Sequence, residues 1–186
     1  NSIIYKNRQL ACLEIFIKPD ETRLYHYVEI KRKAKGHIGL VHEISFTSFD
    51  EIKKHLNRKI PVILLINGKG ILSKSLSKEN NKNNDGLLNK ALPNANPEDF
   101  YLNSCPAANE NEIFVSVVRR QLLKNIIDEF YQSKIFFVEA YWGPFVMHAL
   151  FPLITSKNIV NTGSHIFKFS GNLILNFEIK EETDDA

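Results

Sequence analysis

Three glutamates stand inside apolar runs: Glu14 in LACLEIFI, Glu43 in LVHEISF and Glu139 in FFVEAYW. Carboxylates on neighbouring strands are what a metal-dependent nuclease needs, because two or more of them can share a divalent cation. A second candidate is Asn67-Gly68-Lys69-Gly70, which ends the apolar run PVILLI. Glycines beside a lysine can cradle phosphate, but a Walker loop requires four residues between its glycines and a Ser or Thr directly after the lysine. Here Gly70 and Ile71 follow Lys69, and ILSKSL then reads as a strand. Asn-Gly between two apolar runs is a hairpin signal, so the stretch is expected to be a turn joining two strands.

Other chemistry is thinly represented. The six histidines, His26, His37, His42, His55, His148 and His165, are scattered, with no HxH or HExxH pattern. They read as surface or hydrogen-bonded core residues. The two cysteines, Cys12 and Cys105, form no CxxC pair and are expected to be buried thiols. No GxSxG is present. Lys53, Lys54 and Arg58, with His55 nearby, suggest a basic helix face. It has no interleaved aromatic residues of the kind that bind single-stranded nucleic acid, so it reads as solvated and nucleic acid is not expected as a partner.

The elements that would position these residues follow from periodicity. LACLEIFI is a buried strand, Pro19 to Thr22 a turn, and RLYHYVEIKRK alternates as a half-buried strand. Ile38 to Phe46 is a third strand, so the chain opens on a meander. Ser48 with Glu51 three residues later forms a capping-box pattern for a helix carrying Phe49, Ile52 and Leu56. Pro61 to Ile66 is continuously apolar, as expected of a strand buried on both faces. A polar surface loop, SKENNKNND, covers residues 77–85 and precedes a short helix, GLLNKAL. IFVSVV is a strand, RRQLLKNIIDEFYQS the clearest amphipathic helix, and IFFVEA another strand. Gly143 to Ile154 is expected to be helical, with Pro144 in its first turn. Three further strands are expected over 158–162, 164–170 and 172–179. The class is α/β, mixed with α+β features: a central mixed sheet with flanking helices.

With 186 residues, 44% hydrophobic and 24% charged, the chain can bury a sizeable core. A formal charge of +3 does not by itself indicate nucleic acid. The longest apolar run, Ile60 to Ile66, is far below the roughly 20 residues of a membrane span. The chain starts at Asn1 without a signal-peptide pattern and ends in an acidic tail from Glu178 to Asp185. It is therefore expected to be part of a longer protein. Residues 1–157 are expected to form one lobe, and 158–186 to begin a second lobe or add strands.

The succession from Pro61 carries a resemblance. PVILLINGKGILSKSL precedes a polar loop and a helix ending in KALP; FYLN, a turn and FVSVVRRQLLKNIIDEF follow, then a strand and GPFVMHALFPLI. This order of elements resembles the cytoplasmic assembly-platform proteins of type II secretion and type IV pili, GspL and PilM. The opening meander fits the first three strands of their actin-like, ribonuclease H-like fold. The resemblance implies a non-catalytic scaffold or adaptor, without a cofactor. Its implied partners are proteins: a secretion or pilus ATPase and inner-membrane platform proteins, with homodimerisation a further expectation. It implies a cytoplasmic location, with any membrane attachment lying outside this chain.

Nucleotide-binding members of the wider superfamily carry an Asp-x-Gly-Ser/Thr turn after the first strand. Here Glu14 stands where the Asp would be, and Ile15, Phe16, Ile17, Lys18 and Pro19 supply no glycine. Two alternatives remain from the same resemblance. One is an actin-like ATPase or kinase using Glu14 with Asn67, Gly68, Lys69 and Gly70, and Glu139 near a metal-phosphate site. The other is a ribonuclease H-like nuclease using the strand glutamates.

Overall fold

The computed structural model describes residues 9–32, 38–78, 83–148, 158–162 and 165–180. They form two compact units. The described residues within 1–71 and 118–143 form the first, and those within 72–117 and 144–186 the second.

The first unit is a five-stranded mixed sheet. The expected meander opens it, as β1 (Gln9–Ile17), β2 (Arg23–Arg32) and β3 (Ile38–Phe46). After helix α1 (Phe49–His55) come β4 (Val62–Gly68) and, following an excursion into the second unit, α3 (Arg120–Gln132) and β8 (Phe137–Trp142). The sheet order is β3-β2-β1-β4-β8. β1 pairs antiparallel with β2 and parallel with β4, and β4 pairs parallel with β8. Alternation decides which face is covered: Ala11, Leu13, Ile15 and Ile17 are buried, whereas Cys12, Glu14 and Phe16 are half-buried. The buried parity, with Val62, Leu64 and Ile66 from β4, packs against Ile52 of α1 and Leu123, Ile126 and Phe130 of α3. Phe130 is the hub of this layer, edge-on to Phe49 at 4.8 Å and 5.0 Å from the Phe137 ring. Ser48 caps α1 as the sequence predicts, its side chain accepting from the Glu51 N–H, a contact of the kind that stabilises a helix by about 1 kcal/mol.

The second unit contains all but the first residue of β5 (Ile71–Ser77), α2 (Asn84–Ala91), β6 (Phe100–Pro106), all but the last two residues of β7 (Glu112–Arg119), β9 (Ile159–Asn161), β10 (His165–Ser170) and β11 (Leu173–Ile179). Two three-stranded sheets result, β5-β7-β6 and β11-β10-β9. β7 carries a run of five buried residues from Phe114 to Val118 because it is covered on both sides. Val115 and Val117 meet Leu87, Leu88 and Ala91 of α2, while Phe114 clusters with Phe145, Phe167 and Ile174.

Three expectations change. Asn67-Gly68 does not close a hairpin, since β4 and β5 lie in different sheets. The turn falls at Lys69 and Gly70, with positive φ at Gly68 and Gly70. β4 is not equally buried on both faces, because Ile63 and Leu65 are only half-buried; β7 has that property instead. Arg58 is not on a helix face, since α1 ends at His55. Of the helix expected over 143–154, the structure describes a 3₁₀ turn at Pro144–Val146 and the two residues after it; 149–154 lie outside the described residues.

Candidate functional site

In sheets with parallel strands, ligands collect beyond the carboxyl ends of those strands. In the first unit this is where β1 and β4 finish side by side, with Ile17 opposite Gly68. The two backbones approach too closely for any side chain. A Cβ on Gly68 would sit 2.1 Å from the Ile17 carbonyl oxygen, and its φ of +89° favours glycine independently. The approach lets the Lys69 N–H donate to the Ile17 carbonyl at 2.8 Å. Gly70 is constrained from the helix side, where a Cβ would lie 2.7 Å from Leu122 Cδ2.

The predicted site residues meet at this end of the strands. Asn67 stays in β4, buried, and its Nδ2 donates to Glu14 Oε1 at 2.5 Å. The Lys69 ammonium reaches across to the β1–β2 turn, donating to the Pro19 carbonyl and to Glu21 Oε1, both at 2.9 Å. That hydrogen bond holds the Glu21 carboxyl below its usual range, and the Thr22 hydroxyl does the same for Asp20. The backbone donors of the turn are also engaged. Lys18 N–H donates to the Thr22 carbonyl, Glu21 N–H to the Lys18 carbonyl, and Thr22 N–H to Asp20 Oδ1. A phosphate cradle needs such N–H groups pointing outward at an anion. Here those of Lys18, Glu21, Thr22 and Lys69 are all satisfied by the chain's own oxygens.

The other glutamates lie apart. Glu43 pairs in register with Val28 on β2 and lies 3.3 Å from His26 Nε2. Glu139, opposite Ile63, accepts from the Tyr141 hydroxyl. All three glutamates occupy the face away from α1 and α3, since Glu43, Val28, Cys12, Ile63 and Glu139 form one row across the sheet. Among the described residues they are not gathered with other His, Cys, Asp or Glu into a group of three able to hold a metal. Burial pushes both thiols, Cys12 and Cys105, up to about 11, with Glu14 adding to the effect at Cys12, which disfavours the nucleophilic thiolate. His165, buried in the second unit, has its pKa lowered by desolvation.

Two solved structures share this architecture. The cytoplasmic domain of EpsL, an inner membrane component of the type II secretion system of Vibrio cholerae, superposes with a TM-score of 0.55 at 13% identity, covering 89% of this chain and 70% of that one. A chain of the PilM–PilN type IV pilus biogenesis complex gives 0.56 at 13% identity over 91% of this chain, which spans 60% of that chain's length. The fold is the actin-like one. A Bacteroides thetaiotaomicron protein with an actin-like ATPase fold and unknown function also matches, at a TM-score of 0.47 and 11% identity, below the level at which a likeness carries weight. No family model matches the chain, and no curated protein matches it. The GspL/PilM resemblance drawn from element order therefore reappears in three dimensions as a likeness of fold. Among the described residues, no helix is long and apolar enough to cross a membrane.

Proposed function

We propose that this chain is a non-catalytic scaffold or adaptor domain of a bacterial secretion or pilus assembly platform, working through protein partners on the cytoplasmic side. The observation that carries the reading is the state of the strand ends where an actin-like domain would hold phosphate. Lys69 is bonded to Glu21 and Pro19, Glu14 to Asn67, and the turn N–H groups to nearby oxygens. An anion entering there would have to displace several satisfied hydrogen bonds, each left unmade at a cost of about 1–3 kcal/mol. Likeness of fold to EpsL and to a chain of the PilM–PilN complex supports the adaptor class.

The direct test is sedimentation of the purified chain with the cytoplasmic ATPase of its own secretion or pilus system. The expected result is a complex at micromolar concentrations whose formation does not depend on nucleotide. Turnover of ATP by this chain alone, lost in Glu14→Gln, would contradict the proposal.

A further inference from the structure

The opposite end of β4 carries a feature that the sequence motifs did not reveal. Where the segment before β4 runs past the end of α3, a groove of about 250 Å³ opens on the first unit. Leu56, Ile60, Val62 and Ile135 line it and are buried among the core residues, so its floor is rigid and aliphatic. Its wall is exposed: Phe136 is 62% accessible and Val138 38%, and the Phe136 ring stands edge-on to Tyr131, itself 61% accessible, at 5.2 Å. Contiguous exposed apolar surface beside a buried floor marks a contact site. The volume is below the roughly 300–1,000 Å³ of pockets for small molecules, and suits one or two large side chains.

The rim carries charge of one sign. Arg58, Lys59 and Lys134 line the groove, and no carboxylate does. Arg58 Nη2 donates to the Ser133 carbonyl at 3.3 Å, which fixes its guanidinium at the groove. Lys134 has a φ of +60° at the end of α3, where its N–H and that of Ile135 donate back to the Tyr131 and Phe130 carbonyls. That left-handed position ordinarily belongs to glycine. A lysine there is conformationally costly, and what it adds is an ammonium on the groove rim.

We infer that this groove binds a short acidic segment of a partner protein, anchored by one or two large apolar side chains with carboxylates on either side. Charge complementarity selects the acidic flanks, and the concave aliphatic floor selects side-chain anchors over the flat stacking platforms that hold nucleic-acid bases. The inference deepens the adaptor reading, on which it rests for protein partners. The two fail separately, because nucleotide binding at the far end of β4 would leave the groove intact.

Random twelve-residue peptides displayed on phage, selected against the whole chain and remeasured by fluorescence polarisation, test it. The expected winners carry Leu, Phe or Trp flanked by Asp and Glu, and weaken at least tenfold against Lys134→Glu and against Phe136→Ala. Lys134→Gly separates binding from folding: it should raise the melting temperature and still weaken the peptides. Winners without acidic flanks, or equal binding to all variants, would overturn the inference. So would an oligo(dT) probe that binds more tightly than the selected peptides and is lost in the same variants. Peptide binding that emerges only after residues 181–186 are deleted would reassign the groove to the chain's own acidic tail.

Discussion

The two ends of β4 differ in how the chain treats its own charges. Beyond the carboxyl end, Lys69 meets Glu21 and Pro19, and Asn67 meets Glu14, so the turn is tied by its own residues. Before the amino end, Arg58, Lys59 and Lys134 surround an apolar groove whose lining holds no carboxylate. In the ATPase reading, the carboxyl end would be the active one. The hydrogen bonds tie the two strand ends together there, and the amino end carries the groove proposed above as a docking surface.

The largest effect is expected at the residue that roots α3 against the sheet. Phe130 is fully buried among Tyr25, Phe49 and Phe137. Phe130→Ala should cost about 4 kcal/mol of unfolding free energy, read from urea denaturation, because it empties the core beneath the helix that leads into the groove residues Lys134 and Ile135. Next comes the clasp. Gly68→Ala places a methyl against the Ile17 carbonyl at a positive φ and should cost roughly 3 kcal/mol. A loss well below 1 kcal/mol would mean that the strand ends can separate, and that the clasp is weaker than its geometry. A smaller effect is expected from Asn67→Ala, which removes a donor from a half-buried carboxylate and should cost about 1–2 kcal/mol. The smallest effect concerns pH. Glu21 is held below its usual pKa by Lys69, so its contribution is present above the unfolded value of about 4.3 and is lost as pH falls through the folded value. Lys69→Met should cost a little stability at pH 7 and make the decline on the acid side shallower, so that variant and wild type converge toward pH 3, as followed by thermal melts from pH 7 to pH 3.

What the sequence made legible was local. The strands of the meander came from period-two alternation, the first helix from Ser48 and Glu51, and α3 from its apolar stripe; each is a pattern within a single element. The Asn67-Gly68 signal was half informative. It announces positive φ, which Gly68 and Gly70 adopt, but a turn signal cannot say whether the strands on either side will pair. β5 joins β7, and Asn67 keeps its strand conformation because Glu14, 53 positions earlier, receives its amide. The groove was illegible for the same reason: it combines 56–62 with 134–138, two short stretches brought together only by β4 lying beside β8. One sign was available in QSKIFF, where a lysine stands directly after an amphipathic helix at the position glycine usually fills. Order of elements carried further than any motif, since it pointed to the actin-like fold that the structure has.

Under the proposed function the carboxyl end of β4 is a clasp and not a phosphate site. The most direct measurement is a thermal-shift titration of the whole chain with Mg-ATP, with Mg-ADP in parallel. A nucleotide present at one hundred times its Kd would add about 2.7 kcal/mol, or about 5–10 °C for a chain of this size. The melting temperature is expected to stay unchanged up to millimolar nucleotide; a concentration-dependent rise that is lost in Asn67→Ala would overturn the clasp.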